Sequence, residues 1–305
     1  MAGEPAYSAR WSVMTGANPT FSGSSVRHPY KPGDTLRERR TLLKSPQIRG
    51  TRATSTAQTQ FSVRDIQGDL SADASPALLG FHLVHAMGGG TATSPAFADL
   101  LTEWSIMVDR GTGGYTLGDC YKFLALKTNR LRLQARAGGL VEMTVSVYGK
   151  TQTGGQTFAG AALANTLAEE PFTASMMAME IDPLGNETVP KVLDWSLTID
   201  NGLTQRFANS DTCDAILEGE RMVTFEANVA LDTNILGDLY QVAKAGYAGS
   251  LTLTNSTVST LFTFTGMQFN QETVTIQGNE MILPLRCEIR GSSGNEFTVT
   301  NDITP

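Results

Sequence analysis

Apolar and polar residues alternate along many short stretches of the chain, as expected for strands that bury one face. The clearest stretch covers residues 130–150, where Leu131 and Leu133 alternate on one arm and Val145 and Val147 on the other. Gly138-Gly139 lies between the two arms and suits a tight turn. This pattern predicts a β-hairpin.

Two similar lines, "EWSIMVDRG" at residues 103–111 and "DWSLTIDNG" at residues 194–202, alternate in the same way. Each predicts a strand with its Trp on the buried face, and Asn201-Gly202 is a turn signal. Further strands are predicted within the following segments: 59–73, 221–232, 249–256 and 261–269, with a closing hairpin at 272–291 that turns at Gly278-Asn279.

Helical signals are fewer than strand signals. Residues 75–87 begin with Ser75 as N-cap and Pro76 in the first turn, and a run of glycines follows them. This pattern predicts a helix. Shorter helices are predicted at residues 94–101 ("SPAFADLL"), at 34–43 ("DTLRERRTLL", with Asp34 as N-cap) and at 234–246. Abundant Gly, Ser and Thr add to the strand signals, so the fold class is mainly β with flanking short helices.

The order of elements in the first half recurs in the second, which predicts an internal duplication. Residues 68–88 align with 227–246 as strand, Asp, Leu-Gly and helix, and the 130–150 hairpin aligns with the closing hairpin. We therefore divide the chain into a basic N-terminal arm (1–58), a first β unit (59–150), a connector (151–188), a second β unit (189–291) and a C-terminal tail (292–305). The "EWSIMVDRG" and "DWSLTIDNG" lines do not occupy the same place in this alignment.

Charge is distributed unevenly. Residues 27–52 carry eight Lys or Arg and two acids, a balance of +6, whereas the whole chain carries −7, so the remainder carries −13. A basic arm on an acidic body either binds nucleic acid or docks on an acidic neighbour such as another copy of the chain. The acidic body would repel a phosphate backbone, which favours the neighbour.

Catalytic and cofactor motifs are missing from the sequence. The glycine-rich stretches at Gly88 and Gly111 lack the pattern of a phosphate-binding loop. His82 and His85 are spaced to share a helix face, but no third metal ligand is near them in sequence. Three distant cysteines form neither a disulfide framework nor a metal site. We expect no enzyme activity, no cofactor and no metal, and neither a secretory signal nor a membrane span.

Two groups of segments resemble the major tail tube proteins of long-tailed (siphophage-type) bacteriophages. One is 192–231, where Asp200-Asn201 ends a strand and a segment of the form i-x-x-G-x-R follows at 216–221. The other comprises residues 64–89 and 131–151. The resemblance covers residues 48–290 and leaves the basic arm least matched.

The resemblance implies a β-sandwich whose copies form rings with a continuous inner barrel, stacked into a tube. Its partners would be further copies of itself, the tape-measure protein and transiting DNA in the channel, and the tail terminator and distal tail proteins at the ends. Such a protein belongs to the virion tail and assembles in the host cytoplasm. A duplicated subunit favours a trimeric ring with pseudo-sixfold symmetry over a hexamer, and an acidic channel wall would let DNA pass without sticking.

Arg37, Arg39 and Arg40 are the residues for which we predict contacts between subunits or rings. Alternative functions are another ring-forming virion protein (a tail terminator, connector or baseplate hub) and a carbohydrate-binding β-sandwich. The latter would expose aromatic side chains at a groove, whereas the aromatic residues here alternate into the predicted cores.

Overall fold

The structure is a computed structural model. It describes the following residues: 10–21, 26–29, 31–44, 59–109, 120–156, 170–181, 191–230, 247–255, 258–269, 275–277, 280–289 and 297–302. The predicted helix at 234–246 and the predicted turn at Gly278-Asn279 lie outside these residues.

Strands make up most of the described chain. The first twelve strands and the α-helix are β1 (Arg10–Thr15), β2 (Val26–His28), β3 (Arg37–Arg39), β4 (Leu42–Lys44), β5 (Thr59–Phe61), β6 (Asp65–Asp73), α1 (Pro76–Met87), β7 (Gly88–Gly90), β8 (Pro95–Phe97), β9 (Trp104–Asp109), β10 (Cys120–Arg136), β11 (Glu142–Gly149) and β12 (Thr151–Gln156). A short 3-10 helix, Ala174–Met176, follows. The remaining strands are β13 (Met177–Ile181), β14 (Val192–Asp200), β15 (Thr204–Arg206), β16 (Ala215–Leu217), β17 (Met222–Ala230), β18 (Tyr247–Thr254), β19 (Ser259–Phe269), β20 (Thr275–Gln277), β21 (Glu280–Ile289) and β22 (Phe297–Asn301).

Sixteen of the described strands form one large sheet. Ten of them follow the order β13-β18-β19-β21-β17-β14-β10-β11-β6-β3, and the other six, β1, β2, β9, β12, β20 and β22, pair alongside this path. The predicted hairpins are confirmed, since β10 pairs with β11 and β20 with β21, both antiparallel. Strand β10 changes partners along its length: its first half pairs with β9 and β12, its second half with β11 and β14. One long strand thus joins two parts of the sheet.

The strand pairing of the first half recurs in the second. Six antiparallel pairs in the first half each have an antiparallel counterpart in the second half. The pairs of the first half are β1·β9, β9·β10, β10·β11, β11·β6, β6·β3 and β10·β12. Their counterparts, in the same order, are β13·β18, β18·β19, β19·β21, β21·β17, β17·β14 and β19·β22. A two-stranded insertion lies between equivalent strands in each half, β4·β5 in one and β15·β16 in the other. We call β1–β12 with α1 the first unit and β13–β22 the second unit. The repeat therefore includes strands from the predicted arm, connector and tail.

One hydrophobic cluster runs through both units. The alternation predicted from sequence places Leu131 and Leu133 of β10, with Trp195 and Leu197 of β14, on its buried face. Helix α1 is buried on almost all sides and packs against β2, β8 and β10. It begins after Ser75 and ends at Gly88 in the left-handed conformation (φ 97°), so this helix prediction is confirmed.

The helix predicted at residues 34–43 is wrong. Strands β3 and β4 occupy this stretch, and β3 pairs with β6. Asp34 caps no helix; its carboxylate accepts hydrogen bonds from the backbone N–H of Lys31 (3.1 Å) and of Ser71 (2.7 Å). Leu36 is buried against β6, where a Cβ added at Gly68 would overlap the Leu36 backbone. Tertiary pairing overrides local helix propensity here.

The helix predicted at residues 94–101 is also wrong, because Pro95–Phe97 forms strand β8 against the glycines of β7. The Phe97 ring packs on Phe297 of the second unit, with ring centroids 5.8 Å apart. The strands predicted for "EWSIMVDRG" and "DWSLTIDNG" are confirmed as β9 and β14. They have different partners within their units, which agrees with their different places in the sequence alignment.

Candidate functional site

One face of the central strands is polar across both units. On β6, β11, β10, β14, β17 and β21, every second residue points away from the hydrophobic core. Pairing places these residues in rows across the strands, such as Ser71, Thr144, Arg132, Thr198 and Thr224. We call this surface the polar face.

Acidic groups outnumber basic groups on the polar face. It carries eight carboxylates and four guanidinium groups: Asp65, Asp69, Asp73, Glu142, Asp194, Asp200, Glu226 and Glu288, with Arg130, Arg132, Arg136 and Arg286. Many of them interact across strands. Arg130 donates to Asp200 at 2.5 and 2.8 Å, and Asn228 donates to Asp194 at 2.8 Å. Arg37 and Arg39 of β3 lie opposite Gln67 and Asp65 and extend this face, which still carries more carboxylates than guanidinium groups.

A groove of about 660 Å³ lies on the polar face at one end of β10, β14, β17 and β21. Both signs of charge line it, including Arg132, Arg136, Glu142 and Glu226. The polar face therefore has a recess at this end.

A buried polar network joins the two units where β14 ends. Asn201 is 2% exposed, and its side-chain amide donates to the backbone carbonyls of Ala86 (3.0 Å) and Thr128 (2.9 Å). Its side-chain oxygen accepts from Nε of Arg221 at 2.8 Å. Asn201 thus ties the end of α1, strand β10 and the start of β17 together. We call this network and its apolar surroundings the joint.

Arg221 extends the joint toward β8. Its guanidinium donates to the carbonyl of Ala98 (3.1 Å) and lies over the Phe97 ring, 4.6 Å from the ring centroid. Burial lowers the pKa of Arg221 from its usual value, and nearby Glu218 partly offsets this effect. Glu218 accepts from Nζ of Lys127 at 2.5 Å and from the backbone N–H of Leu101 at 2.9 Å.

The joint has an apolar part as well. Leu203, Cys213 and Ile216 of the second unit pack with Leu101 of the first. Beside them, the Gln205 amide donates to the carbonyls of Ile66 (3.2 Å) and Gly149 (3.0 Å). The insertion between β14 and β17 therefore lies against the ends of strands β6 and β11 of the first unit.

The joint was not predicted as a site, although its signal is present in the sequence. The Asp200-Asn201 pair and the segment 216–221 carried the family resemblance, and the structure gives these residues a physical role. Ile216 belongs to the apolar part, and Arg221 to the polar network. At Gly219 a Cβ would overlap the carbonyl of Gly202, so this position requires glycine.

The predicted contact residues lie together on the outer edge of the first unit. Arg37, Arg39 and Arg40 are exposed, on β3 or directly after it. Arg40 forms an ion pair with Glu38 at 2.5 Å, and Arg39 lies opposite Asp65 of β6. Their contacts with other subunits stay a prediction.

The chain's three histidines meet in one buried cluster that sequence spacing did not reveal. The rings of His28 and His82 have centroids 5.5 Å apart, and His85 accepts from the hydroxyl of Thr15 at 3.1 Å. Burial lowers the pKa of His28 and of His85 to about 4, and it also lowers the pKa of His82 well below its usual value. The cluster is neutral near pH 7, and it packs β2 and α1 against Trp104 of β9.

No group of three or more His, Cys, Asp or Glu side chains in the described ranges is placed to hold a metal ion. The three cysteines are buried, and none of them forms a disulfide. Burial raises the pKa of the Cys287 thiol to about 12 and also raises that of Cys213, so neither is an activated thiolate. Of the helices that the structure describes, none has the length and apolar character to span a bilayer.

The fold and the polar face define a class of protein: a mainly β structural subunit built from two similar units. The family model of phage tail tube proteins matches residues 6–300, and the chain belongs to this family. No curated protein sequence matched the chain. It is a structural subunit of the tail tube in the phage virion, where copies form stacked rings around the channel for genome delivery, together with other tail proteins.

Proposed function

We propose that three chains build each ring of the tube, so that six similar units surround the channel. The observation that carries this proposal is the recurrence of the strand pairing in the two units. Since β10 of the first unit pairs with β14 of the second, the units already stand side by side as neighbours in one sheet. Closed cyclic symmetry is the usual arrangement of such homo-oligomers.

The outer edges of the chain suit ring closure by strand pairing. In the described part of the chain, β3 pairs with β6 alone and β20 with β21 alone. Strands β19 and β20 together correspond to β10, and β3 corresponds to β14. Pairing of β3 with the β19–β20 edge of a neighbouring chain would repeat the β10·β14 contact and cover both edges.

In the proposed ring the polar face lines the channel. Its excess of carboxylates repels DNA phosphates, which lets the genome pass without binding to the wall. The concave groove on this face supports the orientation. The opposite face of these strands is occupied by the hydrophobic core and α1.

The proposed partners are those that a tube requires. The tape-measure protein and then DNA occupy the channel, while the tail terminator and distal tail proteins bind the two ends. Assembly takes place in the host cytoplasm, and the chain acts without catalytic activity, cofactor or metal. The buried histidines and cysteines have structural roles in this proposal.

Electron microscopy of the purified protein at rising concentration tests the proposal. We expect hollow filaments whose class averages show three chains and six similar densities in each ring. Rings of six chains would overturn the trimer. Isolated rings that never stack into filaments, even with the initiating tail proteins present, would favour a terminator or connector. A density map in which the polar face points outward would overturn the assignment of the channel wall.

A further inference from the structure

The insertions of the two units have different surroundings, although they occupy equivalent places. The second unit's insertion lies on the first unit through Leu203 and Ile216, which are 7% and 6% exposed. In the first unit, Leu43 of β4 and Val63, which follows β5, are 54% and 37% exposed. The apolar side chains of the second unit's insertion are thus covered by the first unit, whereas those of the first unit's insertion are exposed at the outer end of the chain.

The second unit has a surface equivalent to the one that the second insertion covers on the first unit. Inside the chain, Gln205 of the second insertion donates to Ile66 of β6 and Gly149 of β11, which pair with each other. At the equivalent ends of the paired strands, the second unit has Val223 of β17 opposite Ile289 of β21. Beside them lies Met222, which is 46% exposed. At this end of the second unit Val223 and Ile289 are 5% and 9% exposed, so Met222 supplies the exposed apolar surface.

We propose that Leu43 of the paired strands β4 and β5, with Val63, docks on the Met222 and Ile289 end of the second unit of a neighbouring chain. The occupant is a second copy of this chain, because the joint shows how the equivalent insertion and surface fit. The inference rests on the proposed ring. It adds that chains contact one another through the insertion as well as through strand edges.

Docking would bury Leu43 and Val63, and this burial favours assembly without changing the fold of the single chain. The double variant Leu43→Ser/Val63→Ser should therefore raise the dissociation constant of the ring by about tenfold or more. The matched control is Leu140→Ser, since Leu140 is 42% exposed at the opposite end of the sheet. Ring formation is measured by native mass spectrometry, and the folding of each variant by thermal unfolding at a concentration where chains are separate.

Cross-linking gives a second readout that does not depend on affinity. A photo-reactive amino acid at position 43, in rings mixed from ¹⁴N and ¹⁵N chains, should yield mixed-isotope cross-links to peptides containing Met222 or Ile289. Cross-links within one chain only, or double-variant rings as stable as those of the control, would overturn the docking. If the wild-type chain forms no three-chain ring, the proposed function fails instead, so the two failures are distinguishable.

Discussion

The two units share their strand pairing, but they differ in what stabilises them. The first unit contains all three histidines, packed with α1 and β2, and its β10 edge is covered by β14. The second unit contributes Asn201 and Arg221 to the joint. A duplicated architecture therefore tolerates different interiors, provided that the strand edges and their insertions keep equivalent places.

Acid should have the largest effect, and it should act on the first unit. Because burial holds the pKa of His28 and His85 at about 4, below the ordinary 6.5, an unfolded chain binds protons first as the pH falls. The stabilisation is complete above pH 6.5 and is lost progressively down to about pH 4. Calorimetry between pH 7.5 and 4.5 should show a falling Tm.

The variant His82→Leu sharpens this prediction. His82 has no hydrogen-bond partner for either ring nitrogen, so leucine removes a proton-binding group without breaking a hydrogen bond. We expect the fall of Tm with acid to become shallower. An unchanged slope would show that the acid sensitivity arises from carboxylates and not from the cluster.

Breaking the joint should have the next largest effect. Asn201→Ala removes the amide that donates to the carbonyls of Ala86 and Thr128, and the oxygen that accepts from Nε of Arg221, which should cost about 2–4 kcal/mol in the free energy of unfolding. In the same contact region, Arg130→Gln removes an ion pair whose arginine side chain is 53% exposed, and it should cost below about 1 kcal/mol. Urea unfolding of separate chains measures both. Equal costs would mean that burial does not distinguish the joint from the polar face.

The outer edge should show the smallest effect on the single chain. Reversal of Arg37, Arg39 and Arg40 to Glu should leave Tm almost unchanged, because all three are exposed. The reversals should weaken assembly and make it less sensitive to salt, since they remove attraction to acidic neighbours. Light scattering across salt concentrations provides the measurement, with the exposed Lys191→Glu as control. Unchanged assembly would exclude these arginines from the contacts.

The sequence by itself determined the long strands and α1. Period-two alternation identified β9, the second half of β10, β11, β14 and β17, because a strand that buries one face leaves that pattern wherever it lies. The cap and the glycine run identified α1 for similarly local reasons. The repeated order of elements along the chain predicted an internal duplication. In the structure, the two units have the same strand pairing.

Only the tertiary structure decided the short elements and the sites. β3 is a strand because β6, which is distant in sequence, supplies its hydrogen bonds, and β8 is a strand because it pairs with the glycines of β7. The local sequences of both strands favour helix. His28 meets His82, and Asn201 meets Ala86, through contacts between distant segments that no local pattern encodes. Local periodicity records which face of an element is buried, but the choice of partner depends on how the whole chain packs.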